Sequence, residues 1–186
     1  MAAIDATVVR HDGLWWMFHA LAGPDDRAMR EMHLAWSETL TGPWTAHAAN
    51  PVMSGFDVSR PGGTAFVHDA ALHLPVQDCR ATYGVAVNLL RIETLTPDAF
   101  LAAAVKRFEP AGLLAGFGDG FHTLSGHGDV TFIDVKSIRR SAAEPWLKAG
   151  FKARRLLGLN GPRGRRATGP AVHPKLFSTS AVCKEG

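Results

Sequence analysis

Three stretches of this chain begin with threonine and reach histidine four residues later: TVVRHDGLWWMFHA (7–20), TAFVHDAALHLPVQ (64–77) and TLSGHGDVTFIDVK (123–136). They start 57 and then 59 residues apart. In each, a β-prone run meets a turn and a second run, the pattern of a hairpin. His11-Asp12-Gly13 is the strongest of the three turn signals, because Asp-Gly supplies the positive φ angles of a tight two-residue loop. In the second copy Ala70 replaces the glycine, which predicts a looser turn. The third copy reads His127-Gly128-Asp129.

A second recurrence supports the first. ETLTGPW (38–44) resembles ETLTPDAF (93–100), 55 residues on. Each follows an apolar run, MHLAWS or AVNLLRI, that reads as a third strand, and each precedes a candidate fourth strand around WTAH or VKRF. Four antiparallel strands recurring every 40–60 residues or so read as β-propeller blades. One blade cannot bury both faces, so the ring is the folding unit. About 135 residues make fewer than three such blades, whereas propellers use roughly four to eight. The expectation is therefore all-β, a partial propeller of two to three blades over residues 1–137. It belongs to a longer protein or closes its ring with another chain. A β-sandwich with chance similarity between hairpins is the alternative.

The net charge of +3 hides two different regions. Residues 1–135 hold 8 Lys/Arg and 15 Asp/Glu, a net of −7, and residues 136–186 hold 12 and 2, a net of +10. Within 138–160, Ser141 and Glu144 have capping-box spacing. Trp146, Ala149, Ala153 and Leu156 share one helical face, with Lys148, Lys152 and Arg155 largely on another. This predicts a basic amphipathic helix or linker, helical over 144–157. Residues 161–186 are rich in Gly, Pro and Arg without periodicity, which predicts a disordered tail. By charge alone this basic end would touch an anionic membrane or nucleic acid weakly; a solvated linker is the other reading. No specific nucleic-acid partner is expected.

No run approaches the roughly 18 apolar residues of a membrane span. The opening MAAIDATVV has neither the charged nor the long apolar segment of a secretion signal, so the expected location is cytoplasmic. Cys79 and Cys183 lie far apart and are expected as free thiols. HExxH, paired CxxC, GxSxG, the Walker loop and a strand-borne GxGxxG are absent from the sequence, so no metal and no cofactor are expected.

Polar residues just before the repeated threonine would face a propeller's central funnel. These are Asp5, the Arg60-Pro61-Gly62-Gly63 stretch and His122. The second hairpin ends on Gln77-Asp78, followed by Tyr83-Gly84. Asp5 and Asp78 are the candidate catalytic carboxylates. Arg60, Gln77, Tyr83 and His122 are the candidate substrate-binding groups, with Arg60 as anchor, paired to Asp78. Each has a plainer alternative. Asp5 caps a strand, Arg60 pairs with Asp57, and Gly62 and Gly63 serve backbone geometry. Gln77 and Asp78 bond nearby backbone, and His122 is a satisfied core histidine. His11, His68 and His127 read as structural or solvated hairpin tips. Trp15, Trp16, Trp36 and Trp44 read as core or as sugar platforms.

IDATVVRHDGLWWMFHA, MHLAWSETLTGPW, NPV, SRPGG, PVQDC and YG together resemble the N-terminal propeller domain of glucosamine inositolphosphorylceramide transferase-type proteins. Bacterial members occur beside formyltransferase-like domains, and a bacterial source is expected. That domain is similar to the five-bladed propellers of glycoside hydrolase family 43, where the pattern running here from Ala35 to Trp44 is a frequent blade ending. The resemblance covers residues 4–136 and implies the C-terminal blades of such a five-bladed ring. It implies a sugar-containing ligand and a fused or partner catalytic domain, within a protein that builds glycans. A glycoside hydrolase and a non-catalytic protein-binding scaffold are the other functions it leaves open. Family 43 enzymes set three carboxylates around the funnel, and Asp5 falls where the acid would be, as Asp in place of Glu. Hydrolysis needs two carboxyl groups flanking one bond, so glycosyl transfer or hydrolysis is expected to need blades upstream of this chain.

Overall fold

The computed structural model describes residues 2–23, 25–138 and 152. The helix expected over 144–157 and the tail expected over 161–186 lie outside the described residues, apart from position 152, as does Cys183.

Three antiparallel sheets follow one another along the chain. The first holds β1 (Ala3–His11), β2 (Leu14–Leu21), β3 (Glu31–Ser37), β4 (Thr45–Ala46) and β5 (Met53–Ser54), in the order β1-β2-β3-β4 with β5 also on β3. A one-turn helix, α1 (Arg27–Arg30), which the sequence reading did not anticipate, joins β2 to β3. The second holds β6 (Arg60–Pro61), β7 (Phe66–His68), β8 (Ala71–Asp78), β9 (Ala86–Leu95) and β10 (Phe100–Phe108), in the order β10-β9-β8-β6 with β7 also on β8. The third is the hairpin of β11 (Gly120–His127) and β12 (Val130–Lys136). The three threonine repeats thus open three separate sheets, as expected, and the third and fourth strands of the first two sheets fall where the second recurrence put them.

The turns follow their φ angles. Asp12 and Gly13 are both at positive φ, and His11 pairs with Leu14. Asp69 and Ala70 adopt the same conformation, φ 47° and 58°, with His68 paired to Ala71. The second turn is therefore as tight as the first, contrary to expectation. The hairpin's strand pairing overrides the roughly 1–2 kcal/mol that a left-handed residue with a Cβ costs. Each of these two tips carries the same His–Asp contact, His11 to Asp12 and His68 to Asp69, both at 3.5 Å.

Strand alternation sends Trp16 and Phe18 of β2 and Met32 and Leu34 of β3 toward Leu72, Leu74 and Val76 of β8 and Leu90 and Ile92 of β9. This core lies between the first and second sheets, so neither would be stable alone. Trp16 belongs to it and Trp36 packs against it, which settles these two as core. The fourth strand of the first sheet is interrupted between β4 and β5. There Asn50 stands in for strand backbone: its Oδ1 accepts from Leu34 N and its Nδ2 donates to Leu34 O, both at 2.8 Å. His47 ties the first sheet to the second, donating from Nε2 to Thr96 O at 2.8 Å while Nδ1 accepts from Ala49 N.

β8 is a central strand that contains Pro75, a residue normally kept to sheet edges. The chain beside it explains why. The missing N–H would point at the break between β6 and β7, where Gly62 N donates to Pro75 O at 2.9 Å. The first strand of the second sheet is thus broken at residues 62–65, and that break positions the site.

Candidate functional site

The leading strand of every sheet is irregular just before its repeated threonine. β1 shifts register between Ile4 and Thr7, and Asp5 there has φ +49°. The second sheet has its break. β11 shifts register between Phe121 and Thr123, which leaves His122 as the extra residue. A bulge re-aims the side chain it carries. An aspartate at positive φ costs energy that only the surrounding structure can hold in place.

The three irregular segments lie against one another. Thr7 Oγ1 donates to Gly63 O at 2.6 Å, and Leu124 N donates to Gly62 O at 2.8 Å. Gly63 also forms a parallel bridge with Leu124. A Cβ on Gly63, whose φ is +144°, would overlap the Leu124 carbonyl, and one on Gly62 would lie 2.9 Å from His122 O. These glycines therefore serve the close approach of two backbones. Their meeting leaves a cleft of about 300 Å³ lined by Asp5, Thr7, Gln77, Tyr83, His122 and Ser125, among others.

Arg60 and Gln77 are register partners across β6 and β8, so their side chains share one face. Arg60 is 8% exposed. Its Nε lies 2.6 Å from Asp5 Oδ2, an ionic contact in which the N–H is not aligned as a hydrogen bond. Nη1 donates to Ala28 O at 2.8 Å, and the guanidinium sits 5.3 Å from the centroid of the Tyr83 ring. Arg60 thus holds Asp5 and helix α1 before β3. It does not line the cleft, which corrects its expected role as ligand anchor. Gln77 Nε2 donates to Pro61 O at 3.0 Å and reaches Asp5 Oδ2 at 3.5 Å. Its Oε1 is buried with no partner among the described residues.

The expected pair of Arg60 with Asp78 does not form. Asp78 follows Gln77 on a strand, so it points to the opposite face. There it is 1% exposed and bonded to Arg80 and Arg107. Arg80 gives it a backbone N–H at 2.9 Å and an Nη2 bond at 2.7 Å. Burial alone would push this carboxyl up, but the bonds from Arg80 and Arg107 outweigh it and hold it at about 2. Asp78 is a saturated structural anion outside the cleft, so its candidate catalytic role is corrected as well. Asp57, the alternative partner for Arg60, pairs with Arg80 at 3.3 Å instead. Cys79 is a free thiol, pushed up by burial.

His122 Nδ1 lies in close ionic contact with Asp134 Oδ2, and its ring lies 5.2 Å from that of Tyr83. Asp134 Oδ1 also accepts from Thr123 N at 2.6 Å and His122 N at 3.2 Å, so one carboxylate secures both the bulge and the imidazole. Asp134 was missed in the sequence reading. Counting back from the two-residue turn would have found it, since His127 pairs with Val130 and Thr123 with Asp134. The structure therefore gathers Asp5, Gln77, Tyr83 and His122 around the cleft, sets Arg60 behind Asp5, and leaves Asp78 out.

Residues 1–110 match the family described as glucosamine inositolphosphorylceramide transferase 1, N-terminal. The chain is 38% identical over 103 residues to glucosamine inositolphosphorylceramide transferase 1 of Oryza sativa subsp. indica and 29% identical over 100 residues to that of Arabidopsis thaliana. In both cases the match spans 52% of this chain but 13% of the relative. Both relatives are plant proteins. Among solved structures, a thermostable family-43 glycoside hydrolase aligns with a TM-score of 0.41 and 20% identity, over 56% of this chain and 36% of that one. The family match covers more than half of the chain and takes in Asp5, Arg60, Gln77 and Tyr83: this protein belongs to the family of the N-terminal region of glucosamine inositolphosphorylceramide transferase 1.

Proposed function

We propose that this chain is a sugar-recognising module of a glycan-building protein, with its first two sheets as blades and its third hairpin as the opening of another blade in a five-bladed propeller. The observation that carries the reading is the cleft. A carboxylate held at positive φ, a buried amide with a spare acceptor, an aromatic ring and an imidazole come to one place from three sheets. A few polar groups beside an aromatic face are what a sugar site needs. The relatives' name couples glucosamine with inositolphosphorylceramide, which supports a sugar-containing ligand here. Glycosyl transfer itself would fall to a fused or partner catalytic domain. Hydrolysis by this chain alone is the weaker reading, because the second expected carboxylate, Asp78, faces away and Asp134 is tied to His122.

The test is a glycan array probed with the full chain and with Asp5→Asn, which keeps a residue tolerant of positive φ. Sugar-dependent binding that the variant loses supports the reading; a chain that binds no glycan overturns it. A second reading, a scaffold for another protein, is favoured by β12. This strand has no partner beyond β11 among the described residues and exposes Val130, Phe132 (58%) and Ile133. Such edges invite strand pairing.

A further inference from the structure

We propose that the Asp134–His122 couple makes the cleft an acceptor site, selective for sugars that donate hydrogen bonds and closed to phosphorylated or carboxylated ones. The ligand class rests on the sugar reading above; the state of the imidazole stands on geometry alone.

A neutral imidazole donates from one nitrogen and accepts at the other, and the partner of one nitrogen decides which. Asp134 is a carboxylate, and its Oδ2 meets His122 Nδ1. In the neutral ring the proton therefore belongs on Nδ1, and Nε2 keeps its lone pair. Nε2 has no partner among the described residues, and the ring borders the cleft beside Tyr83. Asp134 cannot easily turn away, because its other oxygen holds two backbone N–H groups of the bulge. Across the cleft stands a second acceptor, the Asp5 carboxylate.

Each of the nearby cations among the described residues has a partner. Arg60 faces Asp5 and Ala28 O from behind the cleft wall. Lys136 donates from Nζ to Tyr83 O at 2.8 Å. Arg80 and Arg107 belong to Asp78 on the other face of β8. A phosphate or carboxylate entering the cleft would meet lone pairs and a carboxylate, with no unpaired guanidinium or ammonium beside it among the described residues, and would lose its water uncompensated. A hydroxyl or ammonium group finds the opposite: acceptors held in place before it arrives.

The experiment has two arms on the full chain. Long-range nitrogen–proton correlation in the imidazole ring of 15N-labelled protein, assigned with His122→Gln, reads the tautomer. The expected result is a protonated Nδ1 and a bare Nε2 in the wild type. In Asp134→Asn that preference should be lost while the backbone spectrum stays dispersed, since an asparagine oxygen can still accept from the bulge. A wild-type proton on Nε2 overturns the proposal. Titration with glucose, glucosamine and glucose 6-phosphate reads selectivity. Glucose and glucosamine should shift the resonances of Tyr83 and His122 at concentrations at least tenfold below any effect of glucose 6-phosphate. Equal or tighter binding of the phosphate overturns the acceptor site. If none of the three binds and the array is also blank, it is the sugar reading that falls, and the ligand class with it, even with the tautomer as expected.

Discussion

Two aspartate–arginine assemblies lie on either side of β8, and they differ in how completely each is satisfied. Asp78 is enclosed and bonded to two arginines and a backbone N–H. Asp5 is a third exposed, sits at positive φ, and has one buried arginine behind it and a spare acceptor beside it. Period-two alternation separates them, because Gln77 faces Asp5 while its neighbour Asp78 faces the other way. A fully bonded pair stabilises a sheet. A strained, partly open pair keeps an oxygen available to something outside the chain. The two assemblies thus separate a satisfied structural anion from a partly open one within one strand.

The largest test of this contrast is Asp78→Ala. It removes the buried carboxylate between Arg80 and Arg107, which keep Asp57 and Glu109 as partners, and should cost about 2–3 kcal/mol, read by urea unfolding, while sugar binding by the folded fraction stays unchanged. A mild loss together with failed binding would erase the distinction. The next test is acid. The Asp78 carboxyl is depressed from its ordinary 3.8 to about 2 in the folded state. Its contribution is therefore present above pH of about 4 and disappears as pH falls through about 2, a loss of about 2 kcal/mol. Unfolding measured against pH should show this step in the wild type and lack it in Asp78→Asn. Arg60→Ala should be milder, about 1–2 kcal/mol, because Asp5 regains water, yet it should weaken binding by releasing Asp5. Unchanged binding would show that Asp5 needs no holder. The smallest effect on stability is expected for Tyr83→Phe, within about 0.5 kcal/mol, with sugar binding weakened. A substantial fall in melting temperature would move Tyr83 from the cleft to the framework.

Much of the fold was readable from local patterns. The threonine spacing located the three leading strands, and the ETLT recurrence located the strands that follow. Residue preference alone predicts a loose Asp69-Ala70 turn, and the paired strands on either side force a tight one. Asp5, Gln77 and His122 were found because they flank the repeated threonine or end a hairpin abruptly. Arg60 was placed in the right strand and given the wrong partner. Its contact with Asp5 crosses from one sheet to the next, and no periodicity within a strand encodes that distance. Asp78 departs from expectation for a simpler reason: strand alternation puts it on the face opposite to its neighbour Gln77.

The hairpin of β11 and β12 is joined to the rest of the described chain at few points, notably Leu124 N to Gly62 O and Phe121 N to Gly84 O. It also carries one wall of the cleft, His122 and Ser125. Undocking of that hairpin and loss of the cleft are therefore one event, with its own free energy below that of global unfolding. Under the proposed function, a ligand that bridged Asp5 and His122 would act as a clasp, lowering the population of the undocked form by mass action. The Leu124 and Phe121 amides should then exchange with solvent more slowly as ligand is added, while those buried between β8 and β9 keep their own pace.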